Sequence, residues 1–145
     1  MTYHSLIIVD SSILVAYYNA RDNYHQQART FFEQCTAELL TTLACVTEVM
    51  YLLSHNWRTQ NEFLSDLAIE LYKVVPVLPE DLRRISELNE RYADLPGDFA
   101  DLSLVAISER LNITAIVTLD SDFDIYRRYR SQPFERILLP EKGGK

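Results

Sequence analysis

The chain has 145 residues, of which 48% are hydrophobic and 24% charged, with three glycines and no low-complexity run. That is near the commonest size for one domain and excludes disordered, collagenous and repeat classes. A formal charge of −7 would repel nucleic acid if the acids were spread evenly, so partnership with a phosphodiester requires that they be clustered.

The opening MTYHSLIIVD lacks the basic region and long apolar stretch of a signal peptide, and no window approaches the roughly eighteen apolar residues of a membrane span. A cytoplasmic protein without membrane contact is expected. The run Leu6 to Val9 predicts a first strand ending at Asp10, and a helix over Ser12 to Asn19 follows. A second helix runs from Tyr24 to Gln34, in which His25, beside Tyr24 and Phe31, reads as structural before it reads as a proton carrier. Glu38 to Thr42 is the second strand. Ala44 to His55 is the third helix, with Val46, Val49, Met50 and Leu53 at helical spacing. Cys35 and Cys45 fit no ligand spacing and read as small hydrophobes.

Glu48 lies in the most apolar stretch of that helix, ACVTEVMYLL. A charge there demands a salt bridge to an arginine, an exposed stripe position or a metal. A helix over Gln60 to Tyr72 and a strand over Lys73 to Leu78 come next. Pro79, Glu80 and Asp81 then open a helix reaching Tyr92, since proline suits a first turn and acids complement the helix dipole. Tyr51 and Trp57 read as core or as dimer interface.

Pro96 and Gly97 form a turn into the helix Phe99 to Leu111, where Asp98 is well chosen as a cap. Asp101, one turn in and beside Leu102, Leu104 and Val105, has no such role, and a buried carboxylate needs something cationic facing it. Thr114 to Thr118 is a strand leading to Asp120, and Arg136 to Leu139 is the last. Helices alternating with short apolar strands predict an α/β fold with a mostly parallel sheet. Ligands of such sheets bind beyond the carboxyl ends of the strands where strand order reverses, so Asp10 and Asp120 meet if their strands are neighbours. Asp122 serves equally as a cap for DFDIYRRY. Arg127, Arg128 and Arg130, interleaved with tyrosines, are candidate RNA contacts or a solvated helix face. Clustered carboxylates with few lysines suit Mg²⁺ or Mn²⁺. The tail at 141–145 has nothing to pack and is expected to be flexible.

Three stretches together resemble the PIN-domain ribonucleases, and within them the VapC-type toxins of toxin–antitoxin pairs. These are IIVDSSILVAYYNARDNYHQQA, ACVTEVMYLL and GDFADLSLVAISERLNITAIVTLDSDF, the last being the most specific. The resemblance implies a three-layer α/β/α fold around a five-stranded parallel sheet, forming one nuclease domain over residues 1–140. It implies Asp10, Glu48, Asp101 and Asp120 as metal ligands, Asp98 as a further catalytic acid, and Ser11 and Thr118 as supporting hydroxyls. It also implies single-stranded RNA as substrate, a homodimer, and a small antitoxin that blocks the site. Other PIN proteins process RNA outside toxin pairs, and a non-catalytic PIN-like module is a further alternative. A phosphorylatable receiver domain would need an aspartate after the third strand and a lysine after the fifth. Here those strands run into Leu78-Pro79 and Leu139-Pro140.

Overall fold

The computed structural model describes residues 5–95 and 98–137. Pro96, Gly97, the end of the last predicted strand and the tail lie outside the described residues. Strands β1 (Leu6–Val9), β2 (Glu38–Thr42), β3 (Tyr72–Val75) and β4 (Ala115–Val117) join a final strand, β7 (Glu135–Ile137), in a parallel sheet of order β3-β2-β1-β4-β7. Between β4 and β7 the chain forms a 3₁₀ turn at Ser121–Asp124 and a short antiparallel ladder of β5 (Arg127–Arg128) with β6 (Gln132–Pro133). The helices are α1 (Ser11–Tyr18), α2 (His25–Gln34), α3 (Leu43–Leu52), α4 (Trp57–Ala68), α5 (Pro79–Arg91) and α6 (Phe99–Arg110).

Alternation along the central strands builds two cores, one on each face. Ile8, Leu40 and Ile116 point towards α5 and α6, where Leu88, Leu104 and Ile107 close the layer. Ile7, Val9, Leu39 and Val117 point the other way, against Ile13 and Leu14 of α1, Val49 of α3 and Phe63 of α4. The result is the three-layer α/β/α arrangement. Helix α6 is buried from Ala100 to Glu109, so it shows almost no amphipathic stripe.

Strand order reverses between β1 and β4. From β1 the sheet grows through β2 to β3, and from β4 it grows to β7. The register sets Ile8 opposite Ile116 and Val9 opposite Val117. The residues that follow, Asp10 and Thr118, therefore leave the sheet side by side in the crevice where α/β folds bind ligands.

Several expectations shift. The third strand ends at Val75, short of the predicted Leu78, as Pro76 has no N–H to donate to a ladder. The segment after Asp120 is a 3₁₀ turn and ladder, where DFDIYRRY suggested a helix. Arg130 and Ser131 sit at φ 58° and 62°, left-handed conformations that end any helix. Tyr51 and Trp57 are exposed, so neither is core. Cys45 is buried, and burial pushes its thiol up to about 12, leaving it an inert hydrophobe. His25 is structural, since its Nδ1 donates to the Ala16 carbonyl at 2.9 Å and ties α2 to α1. Among the described residues no helix is long and apolar enough to cross a membrane.

Candidate metal centre

Asp10 is both the residue after β1 and the N-cap of α1, its Oδ1 accepting from the Ile13 N–H at 3.2 Å. Ser12 Oγ donates to the same oxygen at 2.7 Å, and Thr118 Oγ1 donates to the other. Each hydroxyl is itself polarised by a backbone N–H at the end of β4. Leu119 donates to Ser12 at 3.0 Å and Asp120 to Thr118 at 2.8 Å. Asp10 is thus clamped from two elements. Burial raises its pKa, these hydrogen bonds oppose the rise, and the carboxyl settles at about 6.

Asp101 lies one turn into α6, behind Asp98, which caps the helix by accepting from the Asp101 N–H at 2.9 Å. The Asp101 carboxylate is buried and accepts no hydrogen bond among the described residues. Desolvation, and then the charges of Asp98, Asp120, Asp10 and Glu48, push it up to about 8. Asp120 caps the 3₁₀ turn by accepting from the Asp122 N–H at 2.9 Å. One carboxylate oxygen from each of Asp101, Asp120 and Asp122 lies within 4.8 Å of the others. Asp122 is raised by desolvation and by the charges of Asp120 and Asp98.

Glu48 projects from the second turn of α3 and accepts from Ser11 Oγ at 2.5 Å. Its pKa is raised by desolvation and by the neighbouring Asp98 carboxyl, with Ser11 opposing. The ion pairs among the described residues fall elsewhere: Arg84 with Glu109 and Glu87, Arg110 with Asp81, Arg136 with Asp124 and Arg29 with Glu33. Among the described residues no arginine or lysine pairs with these acids. The cation that the buried Asp101 demands is therefore not a side chain of the described residues.

All five predicted acids converge, but they are not equivalent. Asp101 and Asp120 belong to the tight group. Asp10 stands behind it, close enough to act on Asp101 electrostatically, and Glu48 and Asp98 form the rim. Asp122 completes the tight group, which its sequence position left open between cap and ligand. Ser12 escaped notice because the adjacent Ser11 filled the hydroxyl position in the motif. Arg127 and Arg128 are held structurally. Arg127 donates to the carbonyls of Asp124, Ile125 and Tyr126, and Arg128 is buried against the Ser108 hydroxyl and carbonyl. Ser108 lies two turns along α6 from Asp101, about 10 Å of helix rise. Arg130 alone of the three is exposed.

A three-layer α/β/α domain with an uncompensated carboxylate cluster at the strand-order reversal belongs to the acidic-pocket α/β proteins. Within that class, the model of the PIN domain matches residues 7–129, and the chain belongs to the PIN-domain family. No curated protein matches it. Among solved structures it is similar to VapC20 of Mycobacterium tuberculosis, a sarcin-ricin loop cleaving toxin. They share 21% identity over 82% of this chain and 93% of that one, with a TM-score of 0.72. It is also similar to VapBC2 of Rickettsia felis bound to a DNA fragment from its promoter, at 15% identity over 90% and 98% of the two chains and a TM-score of 0.61. A toxin–antitoxin complex from Klebsiella pneumoniae aligns at 16% identity over 79% and 87%, with a TM-score of 0.60. At these identities the likeness is one of fold.

Proposed function

We propose that the chain is a Mg²⁺- or Mn²⁺-dependent endoribonuclease that hydrolyses phosphodiester bonds in single-stranded RNA, and that it is the toxin of a toxin–antitoxin pair. The observation that carries the reading is the convergence of Asp101, Asp120 and Asp122 within 4.8 Å, with no cationic side chain paired with them among the described residues. The donor set is all carboxylate oxygen, without thiol or imidazole, which suits a hard divalent ion and fits poorly with zinc or copper.

Asp101, Asp120 and Asp122 would hold the ion, with Asp10 closing the set from the sheet side and Glu48 from the rim. A bound divalent ion supplies an activated water and offsets the charge that develops on the leaving oxygen. The protein's own part is positional. Ser12 and Thr118 lock Asp10 in one rotamer, Ser11 aims Glu48, and the Asp98 carboxyl lies beside Glu48 at the pocket mouth. Arg130 is retained as an RNA contact, with Arg127 and Arg128 bracing the segment that presents it.

The reading of the partner draws on the relatives, two of which were solved as toxin–antitoxin assemblies. A cognate antitoxin that places an arginine against these carboxylates would inhibit by pairing bidentately where the ion sits. Exposed Tyr51 and Trp57 on α3 and α4 suit a homodimer contact.

The test is cleavage of a labelled single-stranded RNA with Mn²⁺, with chelator, and in Asp10→Asn and Asp101→Asn variants. Chelator and both substitutions should remove activity, by at least a hundredfold, while circular dichroism stays unchanged. Parent-like cleavage by both variants, with contaminating nuclease excluded, would overturn the assignment.

A further inference from the structure

Two buried groups near the carboxylate cluster lack partners of opposite kind. Among the described residues Asp101 accepts no hydrogen bond, and the fully buried hydroxyl of Tyr126 makes none. Tyr126 is not loose. Its ring meets Tyr92 and Phe123 edge-on, with centroids 5.2 and 5.3 Å apart, and its backbone N–H donates to the Asp122 carbonyl at 3.0 Å. It therefore hangs from the same turn that carries Asp120 and Asp122. Burial, and after it the nearby charges of Asp101, Asp122, Asp120 and Asp98, pushes its hydroxyl above the usual tyrosine range. The hydroxyl is thus a buried group without a partner among the described residues, on the turn that follows Asp120 and Asp122.

Phenylalanine would fill the same space without burying an unpaired donor, and burying one is costly. A hydroxyl at this position is accounted for if its acceptor comes into reach when the cluster is loaded. Its neighbours there are anionic oxygens, so it acts as donor. Among them Asp101 is the carboxylate in need, since Asp10 already has Ser12, Thr118 and the Ile13 N–H.

We propose that Tyr126 is a positioning residue for the metal site, its hydroxyl donating to the outer carboxylate oxygen of Asp101 when the inner oxygen engages a divalent ion. This rests on the reading of the pocket as a metal site. Groups that orient a ligand in this way typically change metal affinity by about 10–100-fold when removed.

The experiment is calorimetric titration of the metal-free protein with Mn²⁺ for the parent, Tyr126→Phe and Asp101→Asn, together with melting temperatures before loading. Tyr126→Phe should weaken Mn²⁺ binding about tenfold, yet melt no lower than the parent in the metal-free state, because it loses only an unpaired hydroxyl. A Mg²⁺ titration of the parent should also give a tyrosine absorbance difference that Tyr126→Phe lacks. Equal Mn²⁺ affinity in parent and Tyr126→Phe, with Asp101→Asn impaired, would leave the metal site standing and overturn the role of Tyr126. An identical absorbance difference in both proteins would overturn it too. No Mn²⁺ binding by the parent would bring down the metal reading itself, and this inference with it.

Discussion

Two aspartates of one pocket show how hydrogen bonds divide the work of a buried acid. Both are desolvated, but Asp10 takes donors from Ser12, Thr118 and the Ile13 N–H and settles near 6, whereas Asp101 takes none among the described residues and stands near 8. Thr118→Val keeps the shape and deletes the donor, so the Asp10 pKa should rise above about 6. Mn²⁺ binding between pH 6 and 7 should then weaken several-fold and recover towards pH 8. Calorimetric titration across that range checks it, and an unchanged profile would mean that the hydroxyl does not hold the charged form. Legibility at this level follows from how many explanations a residue admits. Asp10 and Asp120 each end an apolar strand, so their placement could be inferred. Asp122 could not be separated from a cap, but the cap of the turn is Asp120, whose side chain accepts from the Asp122 N–H, and the Asp122 carboxylate joins the cluster. Tyr126 was legible only as an aromatic among the arginines of a candidate RNA-contact segment, because a tyrosine in sequence looks the same whether its ring is exposed or buried.

Helix α6 carries the pocket on its first turn and the main core along the rest of its length. Its bounds were readable from a capping aspartate and a largely apolar run, although burial on every side removed the amphipathic period that identifies surface helices. The 3₁₀ turn and the β5–β6 ladder were not readable. Arginine and tyrosine suit a helix on propensity, and the left-handed Arg130 and Ser131 arise from tertiary context. Asp98 raises a question that belongs to the helix as a whole, whether it is a cap or a pocket acid. Asp98→Asn keeps an oxygen for the Asp101 N–H and removes the charge, and Asp98→Ala removes both. A cap is worth about 1 kcal/mol, so Ala should unfold that much more readily than Asn in denaturant titration. Asn should also retain cleavage if capping is the residue's sole task. A large loss of activity in Asn, with stability preserved, would assign Asp98 to the chemistry through its carboxyl contact with Glu48.

Across the whole molecule, the parallel sheet and its order of strands set an acid-rich chain against itself. The strand reversal brings Asp10 beside β4, α6 delivers Asp101 from above, and among the described residues no cation follows. The metal-free fold should therefore carry a pH signature of definite sign. Asp10 and Asp101 are raised from 3.8 to about 6 and about 8 in the folded chain. Between roughly pH 4 and 8 the folded state therefore binds more protons than the unfolded one, and stability must fall as pH rises through that window. A divalent ion reverses the trend, because it needs the ionised carboxylates and competes with their protons. At about a hundred times its dissociation constant it should add ~2.7 kcal/mol, a rise in melting temperature on the order of 10 °C for a domain of this size. Melting temperatures from pH 5 to 9, with chelator and with saturating Mg²⁺, should thus diverge as pH increases, the chelated protein declining and the loaded one holding. Asp101→Asn should flatten the chelated curve and shrink the gap between the two. A chelated protein that gains stability from pH 5 to 8, or a gap that does not widen with pH, would show that the pocket's charges are balanced by something other than an ion.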